Sequence, residues 1–114
     1  MRALHIQKYG RTPVLTQCPV PTRMTGQFLV KMKYAPVNPS DVFFYLGLYG
    51  IKKEGFPIMG FEGSGVIEEC DQEELIGRTV SLFADLKSGT YADYILCKPR
   101  DCIIWPRQTS LSME

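Results

Sequence analysis

The stretch Gly60-Phe61-Glu62-Gly63-Ser64-Gly65-Val66-Ile67 sets one carboxylate among three glycines and runs directly into a β-branched pair. Glycine serves where a chain takes positive φ or where another group must approach the main chain closely, so this density predicts a crowded turn opening into a strand. A phosphate-cradling loop is the obvious comparison. That loop needs Gly-x-Gly-x-x-Gly after a strand and at the start of a helix. Here the order is Gly-x-x-Gly-x-Gly and a strand follows, so spacing and context both argue against a nucleotide loop. Glu62 needs another explanation, and the backbone amides of its own glycine turn are its simplest partners.

Upstream lies Val37-Asn38-Pro39-Ser40-Asp41-Val42-Phe43-Phe44-Tyr45-Leu46-Gly47, with Asn at the N-cap, Pro at N1, Asp at N3 and Gly past the end. These signals predict a helix of about two turns, in which Asn38 caps and Asp41 faces the positive end of the helix dipole. Alternation predicts strands at Ala3 to Gln7, Val14 to Cys18 and Phe28 to Ala35, the last with Phe28, Val30, Met32 and Tyr34 on one face and Lys31 and Lys33 on the other. Residues 48–59, with Gly50, Gly55 and Pro57, read as a loop. Further strands are expected at Gly65 to Glu69, Arg78 to Phe83, Tyr91 to Cys97 and Cys102 to Trp105. Many short strands and one short helix predict a mainly β fold with short helices, a small partly open barrel.

At 114 residues the chain has the length of one domain. Its hydrophobic share of 45% and charged share of 22% belong to an ordinary globular protein and exclude a disordered one. A net charge of +1 provides no footprint for nucleic acid. The local clusters Lys52-Lys53-Glu54 and Glu68 to Glu74 read as solvated turns. No apolar run approaches the roughly 18 residues of a membrane span, and no signal-peptide core follows Met1, so a soluble, cytoplasmic protein is expected. Cys18, Cys70, Cys97 and Cys102 could make two disulfides or one zinc site, but only Cys97-x4-Cys102 is a close pair, and the sole histidine, His5, is remote. Four free thiols and no bound metal are expected. Residues 107–114 read as a linker followed by a capped helical turn that continues toward something further, since so short a helix does not stand alone.

Five segments carry a family resemblance in order: Asn38-Pro39-Ser40-Asp41, Gly47-Leu48-Tyr49, Phe56-Pro57 with Gly60 to Ile67, Gly77-Arg78-Thr79-Val80, and Gly89-Thr90-Tyr91-Ala92-Asp93-Tyr94. Together they resemble the N-terminal GroES-like barrel of the medium-chain dehydrogenase/reductase superfamily, in its zinc-independent quinone and enone oxidoreductase branch. The resemblance departs from the common pattern at Ile58-Met59, where a second proline is usual. It implies a substrate-side domain over residues 1–106, and over 107–114 the start of a linker helix to an absent dinucleotide-binding (Rossmann) domain. Zinc enzymes of the superfamily carry cysteine where Asn38 stands and histidine where Phe61 stands, and neither Asn nor Phe replaces those ligands. The cysteine-rich structural lobe is also missing, because only residues 85–88 separate the Phe83 strand from the Gly89 hairpin.

The resemblance further implies hydride transfer from NADPH to a quinone or enone, with the cofactor bound only in a longer protein, the isolated chain inactive, and a homodimer as the full assembly. Asn38 would then lie at the nicotinamide or the substrate carbonyl, and Tyr49 would act catalytically by donating its phenolic proton to the oxyanion. Tyr45 and Phe61 would supply the apolar wall of the substrate site. The competing expectation is a stand-alone GroES-like binding or scaffold module with no catalytic activity.

Overall fold

The computed structural model describes residues 1–107 except 51, 54 and 86. The chain forms strands β1 (Arg2–His5), β2 (Val14–Gln17) and β3 (Phe28–Tyr34), helix α1 (Pro39–Tyr45), and strands β4 (Glu62–Glu69), β5 (Thr79–Phe83), β6 (Tyr94–Cys97) and β7 (Cys102–Ile104). Single 3-10 turns lie at Glu73–Leu75 and Pro99–Asp101. The helix runs between the expected signals, with Asn38 as N-cap, Pro39 and Asp41 in its first turn, and Gly47 at φ +77° just beyond. The turn expected at the C-terminus lies, from residue 108, outside the described residues.

Strands β1 and β2 pair as an antiparallel ribbon, and the other five form an antiparallel sheet in the order β6-β3-β4-β5-β7. The outer strands β6 and β7 are consecutive in the chain, joined only through Lys98 to Asp101. In a flat sheet they would stand four strand spacings apart, about 19 Å at ~4.8 Å each. The five Cα steps from Cys97 to Cys102 span at most about 17 Å when extended, and the 3-10 turn in the middle shortens them. The sheet therefore curls until its edges approach, which is the partly open barrel expected.

The barrel interior follows the period of two. Phe28 and Val30 of β3, Ile67 of β4, Val80 and Leu82 of β5, and Ile95 and Cys97 of β6 form one buried cluster, with Met32, Cys102 and Ile104 packed against it. Two positions on β3 depart from the expected alternation. Leu29 is buried as deeply as its neighbours, beside a register shift between Leu29 and Val30, and Tyr34 beyond a second shift is exposed. A second cluster of Ile6, Phe44 and Met59 fills the space between the N-terminal segment, α1 and the loop before β4. Bridges Ala3–Ala92 and His5–Ile58 attach the ribbon there.

The glycine-rich stretch corrects two expectations. β4 begins at Glu62, three residues earlier than expected, because Glu62, Gly63 and Ser64 already pair with Phe83, Leu82 and Ser81 of β5. Gly63 is thus a strand residue, as Gly65 was expected to be, and what demands glycine at both is proximity. A Cβ at Gly63 would lie 2.6 Å from Met32 Cε and 2.7 Å from Tyr34 O, and one at Gly65 would collide with Lys31 O on β3. Gly60 alone takes a positive φ, +98°, with Thr90 and Tyr91 packed against its Cα.

Candidate functional site

The N-terminus of α1 and the start of β4 are joined through side chains. Asp41, only 2% exposed, accepts the backbone N–H of Asn38 on Oδ2 at 2.8 Å, closing the first turn. The Asn38 side chain also reaches β4, and its Nδ2 donates to Glu62 Oε1 at 2.9 Å. The expectation that Glu62 is held by amides of its own turn is therefore replaced by a partner 24 residues away. Glu62 is extended in β4, where its neighbours' amides serve the ladder and the carboxylate reaches outward.

Tyr91 completes this polar group. Its single hydroxyl proton is shared between Pro36 O at 2.7 Å and Asp41 Oδ2 at 3.0 Å. Partial burial, and then the bond to Asp41, hold the phenol protonated well above the ordinary tyrosine range. Asp41 thus does more than face the helix dipole, since it ties α1 to the segment entering β6. Asp41 Oδ1 and Thr90 Oγ1 are buried with no hydrogen-bond partner among the described residues.

The residue beside Glu62 carries the aromatic half of the site. Phe61 meets Phe44 edge-on, with ring centroids 5.0 Å apart at 73°, and Tyr49 tilts against Phe61 at 5.6 Å. Tyr45 is half-buried against the Ile6–Phe44–Met59 cluster. The four residues expected to form a site divide accordingly. Asn38 engages Glu62, Tyr49 engages the adjoining Phe61, and Tyr45 packs on the cluster that supports both. A concavity of about 370 Å³, lined in part by Cys18, Pro21, Ile58, Tyr94 and Cys97, includes none of the four.

Lys53 corrects the reading of residues 52–54 as a solvated turn; of these, Glu54 lies outside the described residues. Lys53 is 4% exposed. Its backbone N–H donates to Tyr9 Oη, and Tyr9 Oη donates to its carbonyl, each at 2.9 Å. Its ammonium donates to Ser88 O and lies 5.1 Å from the Phe61 ring centroid and 5.7 Å from that of Phe44. Desolvation lowers its pKa from the ordinary value of 10.5, while the nearby Asp85 and Asp41 carboxylates pull it upward. Pinning by a tyrosine 44 residues away is a tertiary effect with no local signature.

The glycines from Gly60 to Gly65 offer no cradle for a cofactor's diphosphate, because β3 backbone and the Thr90–Tyr91 segment already fill the space at their Cα atoms. At the helix terminus, Asn38 and Phe61 are poor partners for zinc, and among the described residues no three His, Cys, Asp or Glu side chains are grouped to hold a metal ion. No helix among the described residues is long and apolar enough to cross a membrane.

Residues 24–107 match the alcohol dehydrogenase GroES-like domain. The chain belongs to that family. No curated protein sequence matches it. Among solved structures, a Mesorhizobium loti protein assigned as an NADPH:quinone reductase is 28% identical over 96% of this chain, with a TM-score of 0.81. The quinone oxidoreductase of Thermus thermophilus, solved also with NADPH, superposes over 96% at 22% identity with a TM-score of 0.80. An alcohol dehydrogenase superfamily protein of Novosphingobium aromaticivorans does so over 96% at 20% and 0.84. The last two establish the shared fold. This GroES-like chain spans 38, 34 and 36% of the length of those three proteins.

Proposed function

We propose that this GroES-like domain, over residues 1–106, is the substrate-side half of a two-domain reductase that transfers a hydride from NADPH to a quinone or enone without a metal. The 28% identity to the Mesorhizobium loti protein, spread over 96% of the chain, supports the class of reaction. The single observation that carries the reading of the site is the Phe61-Glu62 dipeptide, which turns an aromatic ring toward Tyr49 and a carboxylate toward Asn38. A planar conjugated substrate suits the aromatic side of that arrangement, and its carbonyl suits the polar side.

When bound, NADPH would supply the hydride. The chain's own residues would orient the acceptor and stabilise its developing charge. Phe61, backed by Phe44 and Lys53, forms a wall whose position is held from behind. Tyr49, resting on that wall, would donate its phenolic hydrogen to the substrate oxygen as negative charge grows there. Asn38 is fixed through Glu62 and the helix cap, so its amide needs no reorganisation at the moment of reaction. The diphosphate would be held outside this chain, in a Rossmann domain reached through residues 107–114.

The test is consumption of NADPH with a quinone and with an enone by the protein in which this chain continues into a dinucleotide-binding domain. Turnover is expected there and not from the 114 residues alone. Tyr49→Phe should lower kcat by about ten- to a thousandfold, the usual cost of removing one oxyanion donor. A gene that stops after Glu114 would leave a binding module in place of the enzyme, and unchanged turnover in Tyr49→Phe would reduce Tyr49 to a packing residue.

A further inference from the structure

The Cys97-x4-Cys102 pair has no part in that reaction, yet the fold puts it at a particular place. Cys97 ends β6 and Cys102 begins β7, so they stand at the two ends of the short link that joins the sheet's outer strands. The crossing segment is compacted by the 3-10 turn Pro99–Asp101. Cys97, paired with Phe28 of β3, is 6% exposed in the barrel core. Cys102, paired with Leu82 of β5, packs against the same core and is half-buried. Its Sγ donates to Pro99 O at 3.5 Å, so the side chain lies back over the link. Cys70 is separately engaged, donating to Gln72 O at 2.9 Å.

We propose that Cys97 and Cys102 are a modification site, a dithiol that small-molecule disulfides convert reversibly to a disulfide across the barrel seam. The half-buried Cys102 is the entry point and the buried Cys97 the resolving thiol. The proximity of the two thiols pushes the pKa of Cys97 up and lowers that of Cys102, which is the order the chemistry requires. The Cys102 thiolate attacks one sulfur of R–S–S–R, a Cys102–S–S–R bond forms, and RS⁻ leaves and takes up a proton. Cys97 then releases its proton to water and attacks Cys102 Sγ, expelling a second RS⁻. The pair loses two electrons and two protons, and the reagent becomes two thiols.

The reduced protein should be treated with oxidised glutathione, quenched with an alkylating reagent, and mapped by mass spectrometry without reduction. The expected product has a Cys97–Cys102 link, a mass lower by two hydrogens, alkylated Cys18 and Cys70, and full reversal by dithiothreitol. In denaturant Cys18 and Cys70 should also form mixed disulfides with glutathione, since no packing then shields any thiol. Cys102→Ser should abolish the link, while Cys97→Ala should halt at a glutathione adduct on Cys102. Cys97 is in the core and its variant could unfold, but the map of the unsubstituted protein decides without it. Four alkylated thiols, a persistent adduct on Cys102, or a link from Cys97 to Cys18, which lines the same concavity, would each overturn the proposal.

Discussion

Asn38 Nδ2 donates to Glu62 Oε1 at 2.9 Å, so the residue capping α1 is also the partner of the first residue of β4. This bond is partly buried and involves a carboxylate. Asn38→Ala should destabilise the fold by about 1–2 kcal/mol, combining a lost cap residue with a lost charged hydrogen bond. A double-mutant cycle with Glu62→Ala, followed by urea denaturation, should give a coupling of about 1 kcal/mol. Additive single effects would show that the bond contributes nothing to stability.

Lys53 gives an alkaline signature. Its folded pKa lies below the ordinary 10.5, so in the window between the two values the unfolded chain binds more protons than the folded one. Its contribution to stability therefore rises with pH through that window, as the buried ammonium becomes neutral. Lys53→Met keeps the length of the side chain and removes the buried charge, and should leave stability at neutral pH unchanged or higher. Stability measured against pH should lose its upward slope in the variant; an identical slope would mean that Lys53 is solvated.

Tyr91 acts in the opposite sense. Its folded pKa is raised, by burial first and then by Asp41, so above pH 10 the folded chain retains a proton that the unfolded chain gives up. Stability supplied by Tyr91 is complete below pH 10 and falls above it. Tyr91→Phe removes the bonds to Pro36 O and Asp41 Oδ2, and should cost about 1–3 kcal/mol at neutral pH because it leaves the buried carboxylate with the Asn38 amide as its remaining donor. It should also flatten the loss above pH 10, read by circular dichroism during denaturation.

Gly65 tests the close approach of β3 and β4. A methyl group there would collide with Lys31 O and lie 2.8 Å from Val30 Cγ1, both on β3 inside the sheet. Gly65→Ala should cost about 3 kcal/mol by overpacking. Gly26→Ala makes no contact within 4 Å, and its cost comes only from its φ of +85°. Thermal melts should rank the first well below the second; equal melting temperatures would mean that the sheet yields at Gly65.

Helix α1 was legible because caps, proline at N1 and a terminating glycine are local signals, read within about three residues of where they act. Strands came through by alternation, with starts misplaced by up to three residues in either direction: β4 begins at Glu62, ahead of the expected Gly65, and β6 at Tyr94, after the expected Tyr91. Gly63 illustrates the limit. Its type announces a constraint, but whether φ or a neighbour imposes it depends on Tyr34, on another strand. Tyr49 and Phe61 were singled out through family motifs, and their contact depends on a loop and a strand meeting. Lys53 was misread because its burial depends on Tyr9, Phe44 and Ser88, none of them near it in sequence.

Strand β7 contributes three residues and, among the described residues, pairs only with β5. During synthesis, β3 can pair with β4, β4 with β5, and later β6 with β3, while the outer edge of β5 waits for residues 102–104. From the end of β5 at Phe83 until residues 102–104 follow, the domain is an open ribbon with a bare edge, an arrangement prone to capture by another chain. The shortest strand thus works as a clasp whose late arrival sets how long the nascent protein must be kept from its neighbours.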